Sequence, residues 1–239
     1  MGTAVVRPGP NLTRDDIVIL SLVSAVAIVT AFPISPAARS QDETELARVL
    51  AQRGWFDLAE EICDRLEKGP SRSMASFIRA EIKLGQVDRE GDFAKSMDGL
   101  AEAALLLKKF LAESPAHPLA LEAQTSIGWI QARKGRLAVD AMELESEASR
   151  HSDLQKAAVL AYSDAGKFYQ DTIEKLKKDK SDRAQDSLMD ARLELPRILI
   201  DHAKVTGVDE TTRKKLLGQA NALLIDFEFD YGDRPIAFE

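Results

Sequence analysis

The sequence predicts an all-α protein in which antiparallel helical hairpins stack into a superhelix, an α-solenoid. Two observations carry this prediction. From Asp42 onward, apolar residues recur every three or four positions, and no segment alternates as a strand would. In addition, residues 227–239 (FEFDYGDRPIAFE) echo residues 110–122 (FLAESPAHPLALE), with Phe, Pro, Ala and Glu at matching positions. Such an echo indicates a repeated unit, and because the second copy stops early we expect a longer natural protein.

The N-terminus has the three parts of a secretory signal. Residues 1–16 are polar with two arginines, residues 17–32 carry no charge, and small residues follow. Cleavage is predicted after Ser40. The apolar segment is slightly shorter than the roughly 20 residues that span a bilayer, but an uncleaved membrane anchor is the alternative. We therefore expect residues 1–40 to be a signal peptide or anchor, and the rest to lie outside the cytoplasm, in the periplasm or cell envelope.

The first predicted hairpin has its turn at Gly54. Asp42 is expected to cap the first helix, with Glu45 three residues later as in a capping box. Gly54 ends that helix because glycine adopts the left-handed conformation without strain. A second helix follows over residues 56–67. The apolar residues expected to face inward are Leu46, Val49 and Leu50 in the first helix, and Leu58, Ala59, Ile62, Cys63 and Leu66 in the second.

Glycine and proline divide the remaining chain into further helices. Pro118 suits the first turn of a helix, where its missing N–H is not needed. Gly135 is expected to separate two helices, and Pro196 to kink or divide another, because proline removes a backbone hydrogen bond. Asp209 is expected to cap a last helix that reaches about residue 229. The other predicted helices cover residues 72–84, 92–113, 119–133, 136–149, 153–178 and 181–204.

Three segments resemble tetratricopeptide repeats. In that family a first helix ends in Gly-x-aromatic, and a small residue three positions after the aromatic begins the close packing of the second helix. Here Gly54 is the turn, Phe56 the wedge and Ala59 the small residue. The resemblance implies that the residues packing the repeats are Leu46, Ala47, Leu50, Gly54, Phe56, Ala59, Gly128 and Gly135.

The other two matches are less complete. The segment from Ile127 to Ala141 has Gly128 and Gly135 in place but carries Gln131 and Asp140 where an aromatic and a small residue are usual. A third match at residues 165–169 covers a first helix only, and the helix is expected to run on without a turn. Residues 41–149 are therefore interpreted as hairpins of this type, and residues 150–239 as a longer-helix continuation truncated at its C-terminus. The segment FLAESPAHPLALEAQTSIGWI also resembles repeats of cell-envelope assembly lipoproteins and exported scaffolds.

Charge and cysteine content exclude several classes of protein. The formal net charge of -7 and the isoelectric point near 5.2 argue against a nucleic-acid binder, which needs a basic face. Cys63 is the only cysteine, so neither an internal disulfide nor a Cys-rich metal site is expected. Its place on the apolar side of a helix predicts a small buried hydrophobe.

The titratable residues form no recognisable catalytic or metal-binding pattern. The histidines are isolated: His117 and His151 are expected at the surface, and His202 is expected to interact favourably with the dipole of a helix end. Carboxylate pairs such as Glu60 and Glu61 are expected to face water, since adjacent helical residues point apart. We therefore predict no catalytic residue, no cofactor and no metal.

The predicted function is binding of a protein partner by a non-catalytic scaffold of the cell envelope, in a groove formed by the first helices of successive hairpins. Trp55 is a candidate contact, since aromatic anchors dominate many interfaces, although packing over the neighbouring hairpin is the simpler interpretation. Two alternatives stay open. The chain is the N-terminal helical part of a larger enzyme, or it is a structural subunit of a homo-oligomeric envelope assembly. A membrane tether through residues 17–32 is compatible with each.

Overall fold

The computed structural model describes residues 36–232, and within that range the chain is all-α. The predicted signal segment before Pro36 and the second copy of the echo from residue 233 onward lie outside the described residues. The described part contains eight helices: α1 (Pro36–Gln52), α2 (Phe56–Leu66), α3 (Arg72–Val87), α4 (Phe93–Glu113), α5 (Ala120–Leu144), α6 (Ala148–Leu176), α7 (Asp182–Lys204) and α8 (Glu210–Tyr231).

The helices pack mainly with their neighbours in sequence. Each helix contacts the next, and in addition α1 contacts α3 and α5 contacts α7. The buried apolar residues form two clusters, one from α1 to α5 and one from α5 to α8. Helix α5 belongs to both, because Ile127 and Ile130 lie in the first cluster and Ala132 and Ala138 in the second. The all-α prediction and its sequential packing are thus confirmed.

Polar N-caps begin three of the later helices. Asp92 accepts a hydrogen bond from the Lys95 N–H, and Asp209 accepts one from the Thr212 N–H, as predicted for that residue. The Ser181 side chain also accepts one from a backbone N–H in the first turn of α7. Each cap satisfies a backbone donor that has no partner inside the helix. The predicted cap at Asp42 is wrong, because α1 begins at Pro36, a residue suited to a first helical position.

The turn between α1 and α2 forms at Gly54, as predicted from the sequence. Gly54 has φ +77°, and its N–H donates to the Ala51 carbonyl while the Trp55 N–H donates to the Leu50 carbonyl. This pair of bonds is the Schellman motif that ends a helix. Phe56 then packs against Gly85 of α3, where an added Cβ would lie 2.9 Å from its ring. The aromatic wedge therefore sits between α2 and α3.

The buried stripes of α1 and α2 differ from the prediction at Leu46 and Val49, of which Val49 is half-buried, and at Leu58. In α1 the buried residues are Ala47, Leu50 and Ala51, while Leu46 is 38% exposed. Leu46 lies one position before Ala47, about 100° around the helix from it, and so leaves the core face. In α2, Leu58 is 52% exposed, again one position before the buried small residue, here Ala59. The other α2 residues predicted inside, Ile62, Cys63 and Leu66, are buried.

Gly135 does not end a helix. Helix α5 is continuous over 25 residues and includes both Gly128 and Gly135, so one helix that ends at Leu144 replaces the predicted helices 119–133 and 136–149. A lone glycine costs a helix only about 1 kcal/mol relative to alanine. Its bare backbone instead admits a ring of α6, because a Cβ on Gly135 would lie 2.9 Å from Tyr162 and one on Gly128 would lie 2.8 Å from Tyr169.

The long helices of the second half are also continuous. Helix α6 runs through Gly166 and Tyr169 without a turn, as predicted. Pro196 lies inside α7 and is buried, yet it does not divide the helix. Of the two predicted outcomes at Pro196, a kink or a division, the division is wrong, and the helix tolerates the loss of one backbone hydrogen bond within a packed environment.

Ala59 and Leu58 provide a matched test of the first hairpin. Ala59→Arg should unfold the α1–α2 hairpin, because Ala59 is fully buried and the new side chain both overpacks the contact and buries a charge. Leu58→Arg, one position away and half exposed, should change the free energy of unfolding by no more than about 0.5 kcal/mol. Thermal unfolding followed by circular dichroism checks both. Equal stability of the two variants would contradict the assigned helix face.

Gly135 and Gly166 provide a matched test of the α5–α6 contact. Gly135→Ala should lower the free energy of unfolding by about 1 kcal/mol, because overpacking against Tyr162 outweighs the helix preference for alanine. Gly166→Ala should raise it, since a Cβ there meets nothing within 4 Å. Denaturant titration of both variants separates the two effects. A gain in stability for Gly135→Ala would refute the close contact.

Candidate functional site

Arg48 links three odd-numbered helices on one surface. From α1, its Nη2 lies 2.8 Å from Oε1 of Glu81 on α3 and 3.0 Å from Oε1 of Glu122 on α5. Its Nε also donates to Glu81 at 3.2 Å, so the guanidinium engages that carboxylate with two nitrogens. The guanidinium carbon stands 5.2 Å from the centre of the Phe77 ring, within the range of a cation–π contact. The interaction shows that α1, α3 and α5 share one surface.

The Arg48 cluster, defined as Glu45, Arg48, Glu81 and Glu122, holds more negative than positive charge. Partial burial raises the pKa of Glu81, and the hydrogen bond from Arg48 opposes that rise. The bond to Glu81 in turn raises the pKa of Arg48, with further contributions from the Glu122 and Glu45 carboxylates. Glu122 keeps 42% of its side chain exposed. One cation thus faces three carboxylates, and an outside cation would be attracted to them.

A second ion pair links α5 to α7, the odd-numbered helix that the Arg48 cluster does not reach. Arg136 on α5 lies 3.4 Å from Asp201 on α7, with 37% and 28% of the two side chains exposed. Together with the Arg48 cluster it connects α1, α3, α5 and α7. We call the surface that carries these side chains the odd-helix face. Partly exposed ion pairs of this kind contribute little to the free energy of unfolding. They do show that α1, α3, α5 and α7 share a surface.

Arg79 forms a separate cluster between α2 and α3. Its guanidinium lies 3.0 Å from Glu60 and 2.5 Å from Asp64, which are one turn apart in α2, and 2.9 Å from Glu67, the residue that caps the C-terminus of α2. The expectation that Glu60 faces water is therefore wrong. The spacing of these acids along one face of α2 was visible in the sequence. Its partner on the next helix was not, because nothing local connects residue 79 to residue 60.

Trp55 lies at the tip of the α1–α2 hairpin and is 43% exposed. Leu58, three residues further, is also exposed, and residues at this spacing are neighbours on a helix surface. The two side chains therefore leave an apolar patch at the tip. Trp129, by contrast, is partly buried and packs against the first core cluster. In the aromatic run at the end of α8, Phe227 is buried whereas Phe229 is 90% exposed.

Two histidines, His117 and His202, and the cysteine pack inside the fold, whereas His151 lies half-buried in the first turn of α6. Cys63 is fully buried, as predicted, and burial raises the pKa of its thiol to about 12. His117 is half-buried rather than at the surface, with its ring edge-on to Phe110 at 5.3 Å, and its Nδ1 accepts from the Leu119 N–H. Burial lowers its pKa, as does nearby Arg183.

His202 is buried near the end of α7 and stacks on Tyr162 at 6.2 Å. Burial lowers its pKa, which disfavours the charged form that the helix dipole would stabilise. The predicted interaction of a cationic His202 with the dipole is therefore wrong. Its ring instead stacks on Tyr162, which is a member of the second core cluster and the aromatic residue that Gly135 admits.

The described surface has shallow depressions. A cleft of about 270 Å³ between the end of α3 and the start of α4 is lined by charged and polar residues, among them Lys83, Glu90 and Glu102. Among residues 36–232, no three His, Cys, Asp or Glu side chains are grouped to hold a metal ion. None of the helices described here has the length and apolar character needed to cross a membrane.

Comparison with known protein families finds no match to this chain, and comparison with curated proteins finds none either.

His202 gives the fold a dependence on pH. Because its pKa is lowered by burial, the stability it contributes is complete above the unfolded value of about 6.5 and is lost as the pH falls below it. His202→Gln should therefore show a flatter fall in the free energy of unfolding between pH 7 and pH 5. Tyr162→Phe, which keeps the stacked ring, should retain the slope of the original protein. Parallel slopes in all three proteins would contradict the assignment.

Proposed function

We propose that this chain is a non-catalytic scaffold that binds a protein partner across its odd-helix face. The observation that carries the proposal is the Arg48 cluster, which brings α1, α3 and α5 onto one surface and leaves an excess of carboxylates there. A surface composed of several packed helices is preformed, so a partner binds it without the entropic cost of ordering a loop.

The charge of this face defines the chemistry of the partner. Three carboxylates around one arginine favour a partner segment that presents lysine or arginine, and charge complementarity of this kind accelerates association and excludes acidic competitors. The net charge of -7 extends the same preference over the molecule. An extended peptide or a helix with basic side chains at regular spacing meets this requirement. The signal pattern in residues 1–40 supports a location in the cell envelope, and residues 17–32 would tether the protein to the membrane if uncleaved.

Two double charge reversals test the proposal. Glu45→Lys with Glu122→Lys changes the odd-helix face, and Asp171→Lys with Glu174→Lys makes the same change in charge on exposed residues of α6. Each protein, kept as the full chain with a C-terminal tag, serves as bait in envelope extract, with quantitative mass spectrometry as readout. The first variant should lose specific partners by about tenfold or more, because like charges now oppose each other, and the second should retain them.

The controls separate binding from folding. Both double variants must unfold at temperatures close to that of the original protein, which is expected because Glu45 is exposed, Glu122 is 42% exposed and Arg48 keeps its bond to Glu81. Trp55→Ala is a third variant. If only this variant loses the specific partners, the partner contact lies at the tip of the α1–α2 hairpin. Equal retention by both double variants, or no specific partner for the original protein, would contradict binding at the odd-helix face.

A further inference from the structure

Helix α8 has an apolar stripe that no described helix covers. Its buried residues Leu216, Ala220 and Phe227 lie on one side, and α8 packs on α7. On another side Leu217 is 43% exposed, Leu224 40% and Ile225 57%. These three residues recur at spacings of seven and eight, so they form one stripe along the helix. We call it the α8 stripe.

The residues of α4 that correspond to Leu217 and Leu224 in the echo are buried. In the register that matches Phe110 with Phe227, Leu217 and Leu224 correspond to Leu100 and Leu107 of α4, which are 0% and 2% exposed. Phe110 faces α3, through the Phe77 ring at 5.1 Å, and Phe227 is likewise buried in α8.

Helix α4 lies between two neighbours, α3 and α5, and its Leu100 and Leu107 are covered. Among the described helices α8 makes its main contact with α7 alone. The α8 stripe is therefore of the kind that a second helix covers.

The residues along the stripe complement a reversed copy of themselves. With a two-fold axis at Asn221 and the helices antiparallel, Leu217 stands opposite Ile225 of a second copy, and Lys214 stands opposite Glu228. A two-fold interface requires this reciprocity, since each contact occurs twice. Lys214 contacts Glu210 on its own helix at 3.6 Å. An exposed pair of that kind is weak, so Lys214 can still pair with Glu228 of a second copy.

Side-chain volumes agree with the same register. Gly218 stands opposite Leu224 of the second copy, and a Cβ on Gly218 would meet nothing within 4 Å, so the space is open. The chain already uses this device inside the molecule, where Gly128 and Gly135 of α5 admit Tyr169 and Tyr162 of α6. A glycine opposite a large residue lets two helices approach closely.

We propose that the α8 stripe is a homodimer interface in which two copies of α8 pack antiparallel about Asn221. Two helices bury less than the roughly 1,600 Å² of a standard interface, so the dimer forms in a concentration-dependent equilibrium. The dimer holds two odd-helix faces in one particle. A partner with two basic segments would then bind both faces with an avidity above that of either alone.

Charge exchange in the full chain tests the register. Lys214→Glu and Glu228→Lys should each raise the dimer dissociation constant about tenfold, measured by sedimentation velocity over a wide concentration range, because each places like charges opposite one another twice. The double variant should return to the original value. Lys215→Glu, an exposed neighbour off the stripe, is the control and should change little. Any association through residues 17–32 would be the same in all variants. It would therefore not produce weaker dimers in the two single variants and recovery in the double variant. Failure of the double variant to restore the dimer would overturn the register.

Cross-linking tests the position of the axis independently. Asn221→Cys, treated with a short bifunctional maleimide, should give a covalent dimer, whereas Gln219→Cys should give little. Cys63 does not compete, because it is fully buried with a thiol pKa raised to about 12. Equal yields at both positions would overturn the proposal. A monomeric mass at every concentration, with Leu224→Cys protected from alkylation, would overturn it too and would assign the stripe to residues 233–239 of the same chain.

Discussion

The close contact between α5 and α6 is the interaction on which the rest of the fold depends. Two glycines on α5 admit two aromatic rings of α6, and the contact extends along both helices. Helix α5 contributes to both core clusters, so it joins the α1–α4 half to the α6–α8 half. Because close packing transmits small changes in volume, an added side chain at Gly135 disturbs the join between the halves rather than one half alone.

The parts of the fold that local chemistry determines could be predicted from the sequence. The left-handed conformation of Gly54 and the cap at Asp209 follow from single residues and their neighbours, and both are present. Gly135 shows the limit of such reasoning. A glycine inside a periodic segment signals either a turn or a close approach, and only the residue opposite it in space, Tyr162, decides between the two.

The candidate site was harder to predict than the fold for a similar reason. Arg48 meets Glu122 across 74 positions of the sequence, and no periodicity within one helix reports such a pairing. The sequence placed Trp55 in a turn but favoured its packing over the neighbouring hairpin, whereas the structure leaves the side chain 43% exposed. His202 illustrates the converse. Its position at a helix end suggested a charge, and burial against Tyr162 favours the neutral ring.

The Arg79 cluster bears on the order in which the first helices form. Glu60 and Asp64 lie one turn apart in α2 and Glu67 follows directly as its C-terminal cap, and in an isolated helix such like charges repel by about 0.2–0.5 kcal/mol per pair. The guanidinium that offsets this repulsion arrives only with α3. During synthesis, α2 would therefore be a poor helix until the next segment of chain has emerged. The smallest cooperative folding unit at this end of the protein is then three helices, not a two-helix hairpin.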